Sequence, residues 1–373
     1  MRLIYFSHGY NPHDRRFLTA LAKTHHSVHY LPLLNSNWDR AEGEIPAEIT
    51  IEEPLQNSSR IKWLRYPGLV HQLQRRFERI QPELIHAGPI HLSATLAALT
   101  DFHPLVSMSW GSDLLWSTRN PWVAGIARYT LARSDAFVGD CRAVQTAAIH
   151  YGMDKDRIVI FPWGVDLNHF SPKNGIELRK NLGWENNFIL ISTRSFESLY
   201  GVDMILKAFI QLAPVFSKLR LLLLGDGSLK EHFENRLNKE GLLERVHFAG
   251  VVDRERLPDY YRSADVYVSA SRSDGSSVSL MEALACGVPA LVSDIPGNCE
   301  WVEPGVNGWC FMDGDVNSLV SALRALLHEP GGLGELGLGA RTTAEHRANW
   351  HDNFPKLLDA YQIAVEHVST GNR

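Results

Sequence analysis

Short apolar runs alternate with amphipathic stretches along the chain, and this alternation restricts the folds that it can adopt. In the first half, strands are predicted at 3–7, 27–31, 84–86, 105–109, 136–138 and 158–161. A second series of strands is predicted at 188–192, 219–224, 246–249, 266–269, 290–293 and 308–311. Strands that alternate with helices form βαβ units and lie parallel in one sheet. The sequence therefore predicts an α/β protein with parallel sheets.

The helical stretches and one linker-like segment predict two domains. Helices are expected at 14–23, 66–80, 92–99, 121–133, 143–151, 202–212, 229–239, 257–262 and 316–328, with a long last helix at about 348–368. Ser171-Pro172 and Asn174-Gly175 interrupt the pattern. Because 373 residues exceed what one hydrophobic core usually supports, domains are expected at 1–170 and 171–347, with 348–373 as a terminal helix.

Composition indicates a soluble globular protein, with 45% apolar and 21% charged residues. A net charge of −5 argues against a nucleic-acid partner. No apolar run approaches the ~20 residues of a membrane-spanning helix, and residues 1–7 are expected to form a buried strand rather than a signal peptide. The cysteines Cys141, Cys286, Cys299 and Cys310 are scattered, which favours reduced thiols and a cytoplasmic location.

The segment 273–289 combines two carboxylates with a helix start. Asp274 and Glu282 lie eight residues apart around a turn rich in Gly and Ser, and an apolar helical pattern begins at Val278. Free N–H groups and the helix dipole at such a start form an anion site. Two acids on either side suit a nucleotide-sugar, whose diphosphate joins a sugar to a ribose. The alternative is that Asp274 caps the helix and Glu282 is a surface charge.

Further motifs follow in a fixed order, at 282–289, 294–298, 300–302 and 305–308. With the segment around Asp274, they resemble the retaining glycosyltransferases of family 4. The resemblance covers residues 160–330 well and the N-terminal half weakly. It implies the GT-B architecture: two doubly wound Rossmann-like domains facing across a cleft, an acceptor site on the first, a nucleotide-sugar site on the second, and a last helix that crosses back to the first domain.

The same resemblance implies roles for residues of the second domain. Arg194 and Asp274 are the catalytic residues, with Arg194 on the diphosphate and Asp274 on the sugar hydroxyls, where relatives have Glu. A surface ion pair is the alternative for Arg194. Tyr200 occupies the place of a family Lys, and Glu282 is expected to bind the ribose. The donor-binding residues are Glu282, Gly275, Ser276, Ser277, Val278, Gly225, Gly227, Val251 and Tyr200.

In the first domain, acceptor-binding residues are expected near the strand ends. They are Gly9, Asp14, His86, Trp110 and Asp113. Trp110 stands where relatives often have His, and Trp cannot act as a base. A helix cap is the alternative for Asp14, and structural roles are the alternative for His86 and Asp113.

Three other signals are weaker. His25, His26 and His29 lack an acidic or Cys partner at ligand spacing, and the pair Asp313 and Asp315 has a spacing common by chance. No metal site and no cofactor are therefore expected. A basic and aromatic stretch within 60–79 suits a peripheral contact with an anionic membrane, and a solvated helix face is the equal alternative.

The resemblance implies a retaining, metal-independent glycosyltransferase. It would move a hexosyl group from a nucleotide diphosphate-sugar to a sugar or lipid-linked sugar acceptor, in cell-surface polysaccharide or glycolipid biosynthesis. The expected location is the cytoplasm, at the inner face of the membrane if the basic stretch binds lipid. Two alternatives stay open: a nucleotide-sugar epimerase of the same fold, and a non-catalytic nucleotide-sugar-binding partner of another transferase.

Overall fold

A computed structural model describes residues 1–34, 44–55, 65–116, 120–173 and 175–371, without the side chain of Arg65. The chain divides into two compact units. The first unit comprises Met1–Phe161 and Phe354–Arg373, and the second comprises Pro162–Asn353. Among the described residues, no helix has the length and apolar character that crossing a membrane requires.

The first unit contains a 7-stranded parallel sheet in the order β3-β2-β1-β4-β5-β6-β7. Its strands are β1 Arg2–Ser7, β2 Ser27–Pro32, β3 Thr50–Ile51, β4 Leu84–Ala87, β5 Leu105–Met108, β6 Ala136–Gly139 and β7 Ile158–Ile160. Its helices are Pro12–Leu21, Arg65–Ile80, Ile90–Ala94 continuing into Thr95–Ala98, Ser112–Leu115, Pro121–Ala132, Arg142–His150 and Pro355–Ser369.

The second unit contains a 6-stranded parallel sheet in the order β10-β9-β8-β11-β12-β13. Its strands are β8 Phe188–Ser192, β9 Leu219–Leu224, β10 Val246–Gly250, β11 Val266–Ser269, β12 Ala290–Ser293 and β13 Gly308–Phe311. Its helices are Ile176–Leu182, Val202–Leu212, Lys230–Lys239, Leu257–Arg262, Val278–Ala285, Pro296–Cys299, Val316–His328, Leu333–Arg347 and Trp350–Asn353.

Both sheets reverse their strand order at one place, which is the mark of a doubly wound fold. In the first unit the reversal lies between β1 and β4, and in the second between β8 and β11. Strands of the second sheet are buried on both faces: Leu190 packs in one apolar cluster, whereas its neighbours Ile189 and Ile191 pack in another. Helices must therefore cover both faces, as the alternation in the sequence predicts.

The last helix, expected at about 348–368, is present but starts later than expected and is preceded by a separate short helix. The chain forms Trp350–Asn353, breaks, and forms Pro355–Ser369, with Pro355 in the first turn of the second helix. The break is stabilised by the Asn353 side chain, whose Nδ2 donates to the carbonyls of Pro162 at 3.1 Å and Arg347 at 3.0 Å. Proline lacks the N–H that a continuous helix would need there.

The basic stretch is only partly described, because 56–64 lie outside the described residues, as does Asn174. Within the helix Arg65–Ile80, Arg76 and Arg79 both form ion pairs with Glu52, which is 8% exposed. Glu52 thus compensates two of the positive charges on which the membrane prediction depends. That prediction is not tested by the described residues.

Candidate functional site

The reversal point of the second sheet brings together two predicted catalytic residues. β8 ends at Ser192 and leads to Arg194, while its neighbour β11 ends at Ser269 and leads to Asp274. Ligands of doubly wound sheets bind beyond the carboxyl ends of the strands at such a point. Arg194 Nη2 lies 2.7 Å from Asp274 Oδ2. The two residues, 80 positions apart in sequence, therefore form one ion pair.

Arg194 is held by more than its ion pair. Its Nη1 donates to Ser277 Oγ at 2.8 Å and to Ser279 Oγ at 3.1 Å. Its Cζ lies 4.3 Å from the centroid of the Tyr200 ring, within the range of a cation–π contact. The Arg194 side chain is 12% exposed. The pair is thus nearly buried, unlike the surface ion pair that was the alternative for Arg194.

Arg194 and Asp274 shift each other's pKa, and each has a buried polar atom without a hydrogen bond. Burial opposes the positive charge of Arg194, but Asp274 and the surrounding tyrosines outweigh it, so the pKa of Arg194 is raised. Burial raises the pKa of Asp274, and Arg194 opposes that rise. Among the described residues, Arg194 Nε and Asp274 Oδ2 are buried without a hydrogen bond, although Oδ2 faces the guanidinium charge. Both belong to a larger set of buried side-chain atoms without a hydrogen bond in the described part of the chain.

The helix Val278–Ala285 begins beside the ion pair. Ser277 is its N-cap residue, and the Ser277 side chain accepts no capping hydrogen bond from the first turn. Asp274 Oδ1 instead accepts from the N–H of Gly275 at 3.1 Å. The alternative that made Asp274 the helix cap is therefore wrong. The uncapped first turn, with the dipole behind it, is suited to an anion.

Two predicted donor residues also support the turn itself. Ser276 Oγ accepts from Trp301 Nε1 at 3.0 Å, and both Ser276 and Ser277 are 4% exposed. Val278, the first residue of the helix, is half-buried. The serine hydroxyls are engaged within the protein, so an anion at this turn would be bound by backbone N–H groups.

Glu282 lies inside the same helix and is half-buried. Its Oε2 accepts from the hydroxyl of Tyr261 at 2.9 Å, and that hydroxyl contacts Thr193 Oγ1 at 2.9 Å. Burial, followed by the Glu282 carboxylate, raises the pKa of Tyr261 far above its usual value. Tyr261 therefore remains a neutral donor that orients one carboxylate oxygen.

Loops after β9 and β10 lie close to each other in the same unit. The N–H of Gly225 donates to the carbonyl of Gly250 at 2.7 Å, and that of Gly227 donates to Asp226 Oδ1 at 2.8 Å. Val251 follows Gly250 and is 70% exposed. Their assignment to the nucleotide stays a prediction.

Sequence reasoning missed three hydroxyls of this site. Ser279 bonds to both Arg194 and the Tyr267 hydroxyl, the latter at 2.9 Å, and Tyr261 bonds to Glu282. Both tyrosines resembled apolar core residues in the sequence. Ser279 carried a signal, because a polar residue interrupts an otherwise apolar helical run there.

In the first unit, Gly9 and Asp14 follow β1. Asp14 is fully buried and forms a capping box with Asn11, the N-cap residue of Pro12–Leu21. Its Oδ2 accepts from the Asn11 N–H at 3.1 Å, and burial raises the pKa of Asp14 to about 8. The Gly9 carbonyl accepts from Asn11 Nδ2 at 3.2 Å. These contacts support the capping alternative for Asp14.

Asp113 fixes the turn that follows β5. Its Oδ1 accepts from Ser109 Oγ at 2.6 Å and from the Trp110 N–H at 2.9 Å, and its Oδ2 accepts from the Ile90 N–H at 2.8 Å. The Trp110 ring lies 5.5 Å from that of His13. The carboxylate of Asp113 is thus occupied by protein donors, as in the structural alternative.

His86 lies within β4 and is 1% exposed. Its Nδ1 is 2.8 Å from the hydroxyl of Tyr361, and its ring meets that of Tyr5 edge-on at 4.9 Å. Burial lowers the pKa of His86 to about 3, so the imidazole is neutral at ordinary pH. An acceptor could reach this ring only after the interior opened.

The remaining sequence signals lie elsewhere. His25 and His26 stack at 4.6 Å, and His29 Nδ1 pairs with Glu52 at 3.1 Å. Within the described ranges, no group of three or more His, Cys, Asp or Glu is arranged to hold a metal ion.

Comparison with known proteins follows the division into two units. The model of the Glycosyl transferases group 1 matches residues 175–353, and that of Glycosyltransferase Family 4 matches residues 11–169. The two matches together take in most of both units.

Individual relatives are more distant. A D-inositol 3-phosphate glycosyltransferase of Xylanimonas cellulosilytica is 31% identical over 249 residues, 63% of this chain and 58% of that protein. The chain thus spans less than two thirds of that relative's length. A GDP-mannose-dependent alpha-(1-6)-phosphatidylinositol monomannoside mannosyltransferase of Mycolicibacterium smegmatis is 22% identical over 371 residues, 94% of each chain.

A solved structure shows the same fold. Anabaena HepE, in complex with UDP and glucose, superposes with a TM-score of 0.81 at 18% identity, covering 97% of this chain and 99% of that one. The sheet orders, the superposition and the two family matches confirm the expected fold class, two parallel-sheet α/β domains of the GT-B fold. The chain belongs to glycosyltransferase family 4, in the group 1 glycosyl transferases, and has the GT-B fold.

Proposed function

We propose that the chain transfers a hexosyl group from a nucleotide diphosphate-sugar to an acceptor hydroxyl, with retention of anomeric configuration and without a metal ion. One observation carries this proposal: a nearly buried Arg194 with an unbonded Nε stands beside the uncapped start of the helix Val278–Ala285. A departing diphosphate needs positive charge and N–H donors that are already in place. Arg194 would supply the positive charge, and the backbone at the start of the helix would supply the N–H donors.

The proposed reaction is a front-face displacement. The bond between the anomeric carbon and the diphosphate oxygen breaks, and the acceptor oxygen bonds to that carbon on the same face. The acceptor proton passes to the diphosphate oxygen that leaves. Arg194 and the backbone N–H groups at Ser277 and Val278 stabilise the developing negative charge, and Asp274 binds the sugar hydroxyls.

Glu282 is proposed to bind the ribose hydroxyls. Its orientation supports this, because Tyr261 holds Oε2 by a 2.9 Å hydrogen bond. An ionised carboxylate accepts hydrogen bonds strongly, which matches the two neighbouring hydroxyls of a ribose. Gly225, Gly227 and Val251 are proposed to line the nucleotide side.

The donor nucleotide needs an experiment, since relatives differ: the mannosyltransferase is GDP-mannose-dependent, whereas HepE is in complex with UDP. A thermal-shift screen with UDP-, GDP- and ADP-sugars tests this, because a ligand that binds only the native state raises the unfolding midpoint. Transfer is then assayed with the donor that gives the largest shift. Absence of a shift with every donor would contradict the proposed function.

Two further measurements test the mechanism. Proton NMR of the first product, before any equilibration, should show the anomeric configuration of the donor, and an inverted product would exclude the displacement proposed here. Transfer should continue in EDTA. Loss of transfer in EDTA with recovery on adding Mg²⁺ would contradict metal independence.

The acceptor is proposed to be a sugar or lipid-linked sugar of a glycolipid or cell-surface polysaccharide. The names of relatives support this class, since one acts on a phosphatidylinositol monomannoside. A cytoplasmic location with peripheral membrane contact belongs to the same proposal. Sedimentation with anionic vesicles, against neutral ones, tests the membrane contact.

A further inference from the structure

We infer that Tyr200, which the sequence placed among the donor-binding residues, acts by positioning the Arg194 guanidinium for the donor diphosphate, a role that rests on the proposed function. The guanidinium is planar, so its edge can make hydrogen bonds while its face stacks on a ring. Ser277 and Ser279 accept hydrogen bonds from the edge at Nη1, and Asp274 pairs with the edge at Nη2 as a counter-charge. The Tyr200 ring, with its centroid 4.3 Å from Cζ, receives the face.

The edge contacts involve only Nη1 and Nη2, and Nε makes no hydrogen bond. An arginine loses considerable rotamer freedom when it is fixed, and a ligand that must fix it binds less tightly. A ring against the face fixes the plane of the guanidinium before the diphosphate arrives. Tyr200 therefore lowers the cost of ordering Arg194 without itself touching the phosphates.

The position of Tyr200 is fixed in turn by its backbone. It ends the short helical turn Ser198–Tyr200, in which its N–H donates to the Glu197 carbonyl at 3.0 Å. Gly201 follows with φ +63°, and a Cβ there would lie 2.1 Å from the carbonyl oxygen of Ala270. Only glycine permits this close approach.

A second contact joins this turn to the catalytic segment. The N–H of Arg272, two residues before Asp274, donates to the carbonyl of Leu199 at 2.9 Å. The turn that carries the Tyr200 ring is thus hydrogen-bonded to the segment that carries the Asp274 carboxylate. This hydrogen bond keeps the residue that contacts the face of the guanidinium and the residue that contacts its edge in a fixed relative position.

The consequence is specific to the phosphates. Arg194 is proposed to contact the diphosphate, so Tyr200 should affect binding of a nucleoside diphosphate more than that of a nucleoside monophosphate. It should also affect turnover, because charge on the diphosphate grows in the transition state. A residue with a merely structural role would change both nucleotides alike.

The experiment compares Tyr200→Phe, which keeps the aromatic face, with Tyr200→Leu, which fills the space without it. UDP, GDP and ADP are titrated by calorimetry, and the tightest is compared with its monophosphate. We expect Tyr200→Leu to weaken diphosphate binding about five- to tenfold and to lower kcat, with the monophosphate unchanged. Tyr200→Phe should retain most of the diphosphate affinity and of the kcat that Tyr200→Leu loses.

A double-mutant cycle isolates the contact. In an Arg194→Met background, Tyr200→Leu and Tyr200→Phe should bind the diphosphate equally. If the leucine variant matches wild type while wild type binds and transfers, the inference is overturned and the proposed function stands. Equal weakening of both nucleotides, or a phenylalanine variant as weak as leucine, also overturns it. If wild type binds none of the three diphosphates, the proposed function fails and this inference with it.

Discussion

The two units have the same kind of sheet but use the polar residues near their reversal points differently. In the second unit, the predicted residues Arg194 and Asp274 meet and leave buried atoms without hydrogen bonds. In the first unit, Asp113 is occupied by donors from the protein, and Asp14 serves in a capping box, although its Oδ1 is also buried without a hydrogen bond. Similar residue types thus lie at a candidate ligand site in the second unit and bond to loops of the protein itself in the first unit.

The difference teaches that a polar residue at a strand end is informative only once its partners are known. Burying a polar group is costly unless it is bonded, so a fully bonded carboxylate such as Asp113 stabilises its own loop. The buried cation of Arg194 differs from other buried groups because it lies beyond the end of β8, beside a helix start without a side-chain cap, and this position suits a ligand. Substitutions in the two units should therefore separate activity from stability.

The largest effect is expected for Arg194→Met. It removes the charge that is proposed to face the departing diphosphate, and kcat should fall by about 10²- to 10³-fold. Initial rates at saturating donor measure this, and circular dichroism checks folding. Arg194→Lys serves as the matched control and should retain part of the activity, because it keeps the charge without the planar fork. A kcat close to wild type in the methionine variant would break the comparison.

Glu282→Ala should weaken nucleotide and nucleotide-sugar alike, by ~1.5–3 kcal/mol for hydrogen bonds to a charged group. Calorimetric titration with the preferred nucleoside diphosphate measures this. Tyr261→Phe is the companion variant, because it removes only the hydroxyl that orients Oε2 and should have a smaller effect. Wild-type affinity in Glu282→Ala would refute the ribose assignment.

Asp113→Ala tests whether Asp113 in the first unit stabilises its own loop rather than binding the acceptor. It leaves the N–H groups of Ile90 and Trp110 without their acceptor, so the free energy of unfolding should fall by about 2 kcal/mol. Urea denaturation measures this. KM for the acceptor, per folded molecule, should change little. A large rise in acceptor KM with unchanged stability would restore Asp113 to acceptor binding.

Asp274→Asn keeps the shape of the side chain and removes its charge. We expect kcat to fall about tenfold while donor affinity changes less, as for an interaction strengthened in the transition state. Asp274→Glu lengthens the arm and should change the ranking of donor sugars. A panel of nucleotide-sugars assayed with both variants decides. Unchanged turnover in the asparagine variant would leave Asp274 as a partner of Arg194 only.

The smallest effect concerns Asp14 and pH. Its pKa is about 8 in the folded protein, above the ordinary value of 3.8, so the folded state holds the proton more tightly. The stability it contributes is complete below pH 4 and is lost as the pH rises toward 8. Between pH 7 and 8.5, wild type should lose about 1 kcal/mol of stability that Asp14→Asn does not lose. Parallel urea titrations would contradict this if the two proteins changed equally.

Much of the second unit could be predicted because its strands are apolar runs buried on both faces. The strands at 188–192, 219–224, 266–269, 290–293 and 308–311 begin and end where they were expected. The run at 246–249 extends one residue further, to Gly250.

In the first unit, the two-residue strand Thr50–Ile51 was not predicted. Both of its residues are exposed, and two residues are too few to form a pattern.

The helix Leu333–Arg347 was missed for a different reason. Its several glycines argue against a helix on propensity alone. In the structure they permit close packing: a Cβ on Gly337 would lie 2.6 Å from the Gly287 carbonyl oxygen, and one on Gly339 would lie 2.0 Å from that of Val306. Tertiary contact outweighs propensity here, and a single sequence does not contain that contact.

The residues of the candidate site that lie in sequence motifs could be predicted, but the contacts between them could not. The sequence identified Arg194, Asp274 and Glu282, but it did not indicate that Arg194 pairs with Asp274 or stacks on Tyr200. Those contacts depend on the angles at which loops leave neighbouring strands. The supporting hydroxyl of Tyr261 was hidden for the same reason, because its partners are distant in sequence.

Arg341 also belongs to the missed helix, and its side chain reaches the far end of the helix that carries Glu282. Its Nη1 donates to the Ala285 carbonyl at 2.8 Å and to the Phe170 carbonyl at 2.9 Å. The carboxyl end of Val278–Ala285 is thereby anchored, while the amino end has no side-chain cap. The helix thus needs no ligand to hold it in place. The anchor at Ala285 is thus separate from the contacts of Ser277 and Ser279 with Arg194 at the other end of the helix.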